Sequence, residues 1–86
     1  MTVQVLCFFQ PGCMGCAEQE PINAEVGRML KIPIAEIDVI KNPDYIRKYS
    51  LKATPTLIIL RDDEEKERFE GVVHVEQLES ALRKYL

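Results

Sequence analysis

Two cysteines separated by two residues, Cys13-Met14-Gly15-Cys16, are the groups in this 86-residue chain best suited to covalent chemistry. Thiols at that spacing can close a small disulfide ring, and they can also supply half of a tetrahedral thiolate site for zinc. A zinc site needs a second pair of ligands. The chain has no second C-x-x-C, and its one histidine, His74, stands far off in sequence. Thiol-disulfide exchange is the better reading, with metal binding and a chemically idle pair as the alternatives.

What the pair can do depends on where it sits. Residues 3–9 mix β-branched and aromatic side chains in a nearly continuous apolar run, as a strand buried on both faces does. Gln10-Pro11-Gly12 ends that run, and Ile22, Val26, Met29 and Leu30 then recur at helical spacing, so a helix is expected over residues 13–30. The cysteines therefore open a helix. Unpaired N–H groups and the helix dipole at that end stabilise a thiolate on Cys13, which makes it the nucleophile. Cys16, one turn further in and less exposed, is placed to attack a mixed disulfide on Cys13 and resolve it.

The rest of the chain reads as the frame for that helix start. Residues 32–39 read as a second strand, and Asn42 as the N-cap of a short helix that has Pro43 as its first residue and reaches Tyr49. Ala53-Thr54-Pro55-Thr56 breaks the chain before a third buried strand at 57–60. A charged turn at 61–65 and a short charged strand at 66–69 follow, the latter suited to a sheet edge. Gly71 closes that strand. Val75, Leu78, Ala81, Leu82, Tyr85 and Leu86 keep helical spacing to the last residue, behind a start without a good N-cap. The order βαβαββα implies an α/β fold, a four-stranded mixed sheet with helices on both faces.

Composition narrows the function. Eighty-six residues suit one domain, expected to span 1–86, and 47% hydrophobic with 29% charged residues gives a core and a solvated surface. A net charge of −3, with Lys and Arg scattered among acids, offers no stripe for nucleic acid. The apolar runs are too short to span a bilayer, and the first ten residues lack the basic start of a leader, so a cytoplasmic location is expected. Three cysteines, two of them three apart, do not resemble the stapled framework of a small secreted domain.

Thr54-Pro55 is the second feature of chemical interest. Proline cannot continue a ladder, and X-Pro is the one bond for which cis costs little. A cis bond here would turn the loop toward Cys13 and present Thr54 backbone groups to an extended peptide; a trans turn before a strand reads equally well.

Taken together, a strand, Cys13-x-x-Cys16 at a helix start, Pro21 five residues on, Ala53-Thr54-Pro55-Thr56 before a strand, and Gly71 after a hairpin resemble the thioredoxin-like superfamily over nearly the whole chain. The resemblance implies that Pro21 kinks the active-site helix and that Pro55 is cis and faces the disulfide. It also implies that Pro11, Gly12, Met14, Gly15, Thr54, Pro55 and Gly71 form the substrate surface. The length is similar to that of a glutaredoxin, but Glu70-Gly71-Val72-Val73-His74 stands where a glutathione site would lie, so protein thiols are expected as partners.

The chain departs from the family pattern in three ways. Gly12 stands where a tryptophan is usual, and Met14-Gly15 replaces Gly-Pro. Cys7 occupies the position of a buried aspartate that helps deprotonate the resolving thiol. The lysine that accompanies that aspartate falls at apolar Ile34, so the charged pair is replaced on both strands.

Several residues have a plain reading beside a sharper one. Cys7, mid-strand, is read as core packing, the sharper reading being exchange with Cys16 beneath the site. Glu18 and Glu20 near Cys13 oppose a thiolate there, or are merely solvated. Met14 and Pro11 read as apolar surface for a partner, His74 as a surface residue. The expected activity is protein-disulfide reduction with no cofactor consumed. Its expected partners are protein disulfides and a thioredoxin-reductase-like flavin-dependent donor, and the protein is expected to be a monomer. The competing reading is a binding module holding Cu(I) or Zn(II) through the same thiolates.

Overall fold

A computed structural model describes residues 2–86, and in it each expected element forms: β1 (Val3–Phe9), α1 (Met14–Leu30), β2 (Ile34–Asp38), α2 (Asp44–Lys48), β3 (Thr56–Arg61), β4 (Glu64–Glu70) and α3 (Val75–Arg83). The strands make one mixed sheet of order β2-β1-β3-β4, with β1 parallel to β2 and antiparallel to β3. Because successive side chains alternate across a strand, the unbroken apolar runs feed two separate cores. Val5, Cys7, Leu57 and Ile59 pack under Val26 of α1 and Leu78 and Leu82 of α3. Phe8, Ile58 and Leu60 face the other way, toward Tyr45 and Tyr49, whose rings lie 5.4 and 5.5 Å from that of Phe8.

Element boundaries differ from expectation where side chains find unforeseen partners. Strand β2 starts at Ile34 rather than Ile32, because α1 ends in a left-handed residue, Lys31 at φ 57°, and the Ile32 N–H turns back to the Gly27 carbonyl at 3.0 Å. Asn42 does not cap α2 with its side chain: its amide donates to the Asp38 carbonyl at 3.0 Å, and Pro43 takes the cap position. The charged turn shrinks to Asp62-Asp63, both at positive φ (54° and 68°), the geometry of a two-residue type I′ hairpin. Strand β4 accordingly grows to Glu64–Glu70 and carries a bulge at Lys66, between the pairs Leu60↔Glu65 and Ile59↔Glu67. Helix α3 ends at Arg83, leaving Leu86 exposed.

The face that α1 buries is not the apolar stripe alone. Cys16, Gln19, Asn23 and Val26 are its buried residues, while Met29 remains 45% exposed. Two amides thus sit inside the core, and both bear on the site.

Candidate active site

Cys13 is the N-cap of α1, with extended backbone angles (φ −86°, ψ 113°), so its sulfur occupies the place a capping oxygen usually takes. The Cys16 N–H donates to Cys13 Sγ at 3.1 Å, and Cys13 and Cys16 are joined as a disulfide with Cα atoms 5.2 Å apart. Gly12, at φ +79°, makes the turn that delivers the chain to this cap, a conformation only glycine adopts freely. Met14 points outward and is 88% exposed, Pro11 is exposed, and Cys16 is buried. The helix runs on through exposed Pro21, which cannot return a hydrogen bond to the Ala17 carbonyl.

Thr54-Pro55 closes over the cysteines, and its peptide bond is cis. The Thr54 hydroxyl donates to Cys13 Sγ at 3.5 Å and accepts from Gln10 Nε2 at 3.2 Å, while the Thr54 carbonyl lies 3.6 Å from the same sulfur. The Gly71 N–H donates to the Pro55 carbonyl at 2.8 Å, which ties the segment after β4 to the proline loop. Gly15 lets α1 come close beneath: a Cβ there would sit 3.1 Å from Pro55 Cδ and 3.4 Å from Val72 Cγ2. Of the expected substrate residues, Thr54 thus lies against the Cys13 sulfur, while Gly15 and Gly71 adjoin Pro55.

Sequence reasoning missed Gln19. It is fully buried and holds Val73 from both sides, accepting from its N–H at 2.9 Å and donating to its carbonyl at 3.0 Å, with a further bond from Nε2 to Asn23 Oδ1 at 3.0 Å. Residues 71–73, one wall of the site, are in this way fastened to the active-site helix by a single side chain. A glutamine at a core-facing helical position was the available signal.

Strand register corrects the reading of the charged pair. Cys7 is buried, and Glu36, not Ile34, is its partner across the parallel β1-β2 ladder. Burial pushes the Cys7 thiol up to about 11; an interaction with the Asn23 amide opposes this and the Glu36 charge adds to it. That amide contact is too loose to be a formed hydrogen bond, and Asn23 Nδ2 is a buried donor left without a partner. Glu36 is itself held above the ordinary carboxylate value, first by loss of hydration and then by Glu20.

Two hollows flank Cys13. One, of about 180 Å³, is lined by Phe9, Gln10, Gly12, Cys13, Cys16, Ala17, Glu20 and Glu36, with no basic residue among them. The other, of about 160 Å³, runs from Thr54 and Ala53 to Val39, Ile46 and Leu51 and is the more apolar. Glu20 therefore belongs to the site, whereas Glu18 is simply exposed and His74 only precedes α3. Among the described residues no group of three or more His, Cys, Asp or Glu is arranged to hold a metal ion, and no helix is long and apolar enough to cross a membrane.

This arrangement has clear relatives. The chain is 37% identical over 73 residues to thioredoxin Y1, chloroplastic, of Arabidopsis thaliana, an alignment covering 83% of this chain and 42% of that protein. It therefore spans less than half the length of that relative. Thioredoxin of Bacillus subtilis is 32% identical over 81 residues, covering 92% of this chain and 78% of its own. Thioredoxin-2 of the malaria parasite, described as a component of the protein secretion machinery, superposes with a TM-score of 0.92 at 29% identity, over 96% of this chain and 82% of that one. The family model for thioredoxin matches residues 2–84, and the chain belongs to the thioredoxin family.

Proposed function

We propose that this chain is a thiol-disulfide oxidoreductase that reduces protein disulfides through Cys13 and Cys16. The observation that carries the reading is the Cys13 sulfur, set at the head of α1 with the Cys16 N–H 3.1 Å away and the Thr54 hydroxyl 3.5 Å away. Two donors and a helix N-terminus stabilise a thiolate there without any neighbouring cation. In the reaction, Cys13 Sγ⁻ attacks one sulfur of the substrate disulfide, forming a mixed disulfide and releasing the first substrate thiolate. Cys16 then attacks Cys13 Sγ, forming the Cys13-Cys16 disulfide and releasing the second thiolate. Two electrons pass to the substrate, and an external dithiol or a flavin-dependent thioredoxin reductase returns them.

The substrate strand lies along Thr54-Pro55, with Met14, Pro11 and Gly12 on one side and Gly71 on the other. The reading asks for a reducing compartment such as the cytosol, and for a protomer that acts alone. Catalytic turnover of a protein disulfide in dithiothreitol tests it, with the potential of the couple measured in glutathione buffers. A reversible couple near about −270 mV fits a reductase, and one near about −180 mV an isomerase or oxidant. Absence of any Cys13-Cys16 couple would overturn the reading, as would turnover that survives Cys16→Ser.

A further inference from the structure

Gln10 follows the last residue of β1 and lines both hollows that flank Cys13, the one with Glu20 and Glu36 and the more apolar one that runs to Thr54. Its side chain bridges from the end of β1 to the proline loop. Gln10 Nε2 donates to Thr54 Oγ1 at 3.2 Å, and the Thr54 hydroxyl donates to Cys13 Sγ at 3.5 Å, so a chain of hydrogen bonds ends on the nucleophile. The first link sets the direction of the second. An amide N–H can only donate, so the hydroxyl oxygen accepts from Gln10 and its own proton is left for the sulfur. The Thr54 carbonyl, 3.6 Å from the same sulfur, can accept from Cys13 only while Cys13 is a thiol. Thr54 thus holds the thiol through its carbonyl and the thiolate through its hydroxyl.

We propose that Gln10 is a positioning residue for the Cys13 thiolate: by donating to Thr54 Oγ1 it aims the Thr54 hydroxyl proton at Cys13 Sγ and so favours the ionised form. This rests on the oxidoreductase reading above. When Cys13–SH ionises, its proton passes to water and its bond to the Thr54 carbonyl is lost. The bond from the Thr54 hydroxyl strengthens, because a charged acceptor holds a donor more tightly than a neutral one. Without Gln10 the hydroxyl turns among about three staggered positions. Holding it in one of them favours ionisation by up to about threefold, or about 0.5 pKa unit. The charged groups around Cys13 act separately from this chain: Glu20 from α1 and Glu36 from β2 line one hollow and oppose the thiolate, while Lys52 lines the other. In sequence Gln10 reads as a turn residue, and the hydroxyl it meets is 44 positions away.

The pH dependence of alkylation of the reduced protein by iodoacetamide, with modification at Cys13 followed by mass spectrometry, reads the Cys13 pKa without any need for turnover. Gln10→Ala is expected to raise that pKa by about 0.5 unit. Thr54→Val, which removes the hydroxyl altogether, should raise it by about one unit or more, as loss of a hydrogen bond to a charged group implies. In the Thr54→Val background Gln10→Ala should have no further effect, because the group it aims is gone. Thr54→Ser should keep both the native value and the response to Gln10→Ala. The rate profiles should also cross: Gln10→Ala reacts about twofold more slowly below the pKa and slightly faster on the plateau, because thiolate nucleophilicity rises with pKa. A Cys13 pKa that is unchanged or lower in Gln10→Ala overturns the proposal, as does an equal rise in the Thr54→Val background. Failure of the native protein to turn over a protein disulfide would sink the oxidoreductase reading, whereas normal turnover with no response to Gln10→Ala sinks the assignment of Gln10 alone.

Discussion

Replacing Gln19 by leucine keeps the volume of a fully buried side chain but removes all three of its hydrogen bonds, to Val73 N, Val73 O and Asn23 Oδ1. Each of those groups is then buried without a partner, at about 1–3 kcal/mol apiece. Leucine recovers about 1–2 kcal/mol through better burial. The net loss expected is about 1–8 kcal/mol, against a total stability of about 4–13 kcal/mol for a chain of this length. With a urea slope of about 1 kcal/mol/M, the unfolding midpoint should fall by about 1 M or more. Asn23→Leu offers an internal check, since Asn23 Nδ2 already lacks a partner and removing it relieves a standing cost. Asn23→Leu alone should be near neutral, because it removes that donor but leaves one Gln19 Nε2–H without its acceptor, whereas in the Gln19→Leu background it should restore about 1 kcal/mol or more. A midpoint drop below about 0.5 M in Gln19→Leu would refute the reasoning, showing that residues 71–73 find water or other partners once released.

Cys7, with a folded pKa of about 11 against 9.0 for a free thiol, favours folding below pH 9 and loses that contribution as pH rises toward 11. Native protein should thus lose about 2 kcal/mol more than Cys7→Ala between those pH values in urea titrations. Glu36 has a raised folded pKa, so its charged form opposes folding at neutral pH. Glu36→Gln should be the more stable protein at pH 7 by thermal melting, with the difference vanishing as pH falls below the ordinary carboxylate value. Asp63 sits at φ 68° in the β3-β4 turn, so Asp63→Gly should raise stability by about 0.5–1 kcal/mol, read as a higher melting temperature.

The strands, the helix start at the cysteines and the proline loop were legible because each is written in local chemistry. Continuous apolar runs mark strands with two buried faces, and Pro or Gly at fixed places marks their ends. Gln19 and Asn23 were not legible, because an amide in a helix reads as solvated until the Val73 backbone is known to lie against it. Glu36 was hidden for a different reason. Which residue of β2 stands beside Cys7 is fixed by the parallel register, and a count that assumed the usual lysine position landed two residues early, on Ile34. Asn42 shows the limit of cap rules: its side chain found the Asp38 carbonyl before the helix could use it.

The position of β1 in the sheet also bears on how the chain is made. β1 lies between β2 and β3, and its antiparallel partner β3 begins only at Thr56, so the sheet cannot close across Val5, Cys7 and Phe8 until that late segment exists. At ribosomal rates of about 5–20 residues per second, the interval between the two strands leaving the exit tunnel is several seconds. During that time a strand with two apolar faces has α1 and β2 available but no closing edge. The nascent chain is therefore a natural client for chaperones that cover apolar segments, and truncation before Thr56 should yield an aggregating fragment rather than a smaller folded one.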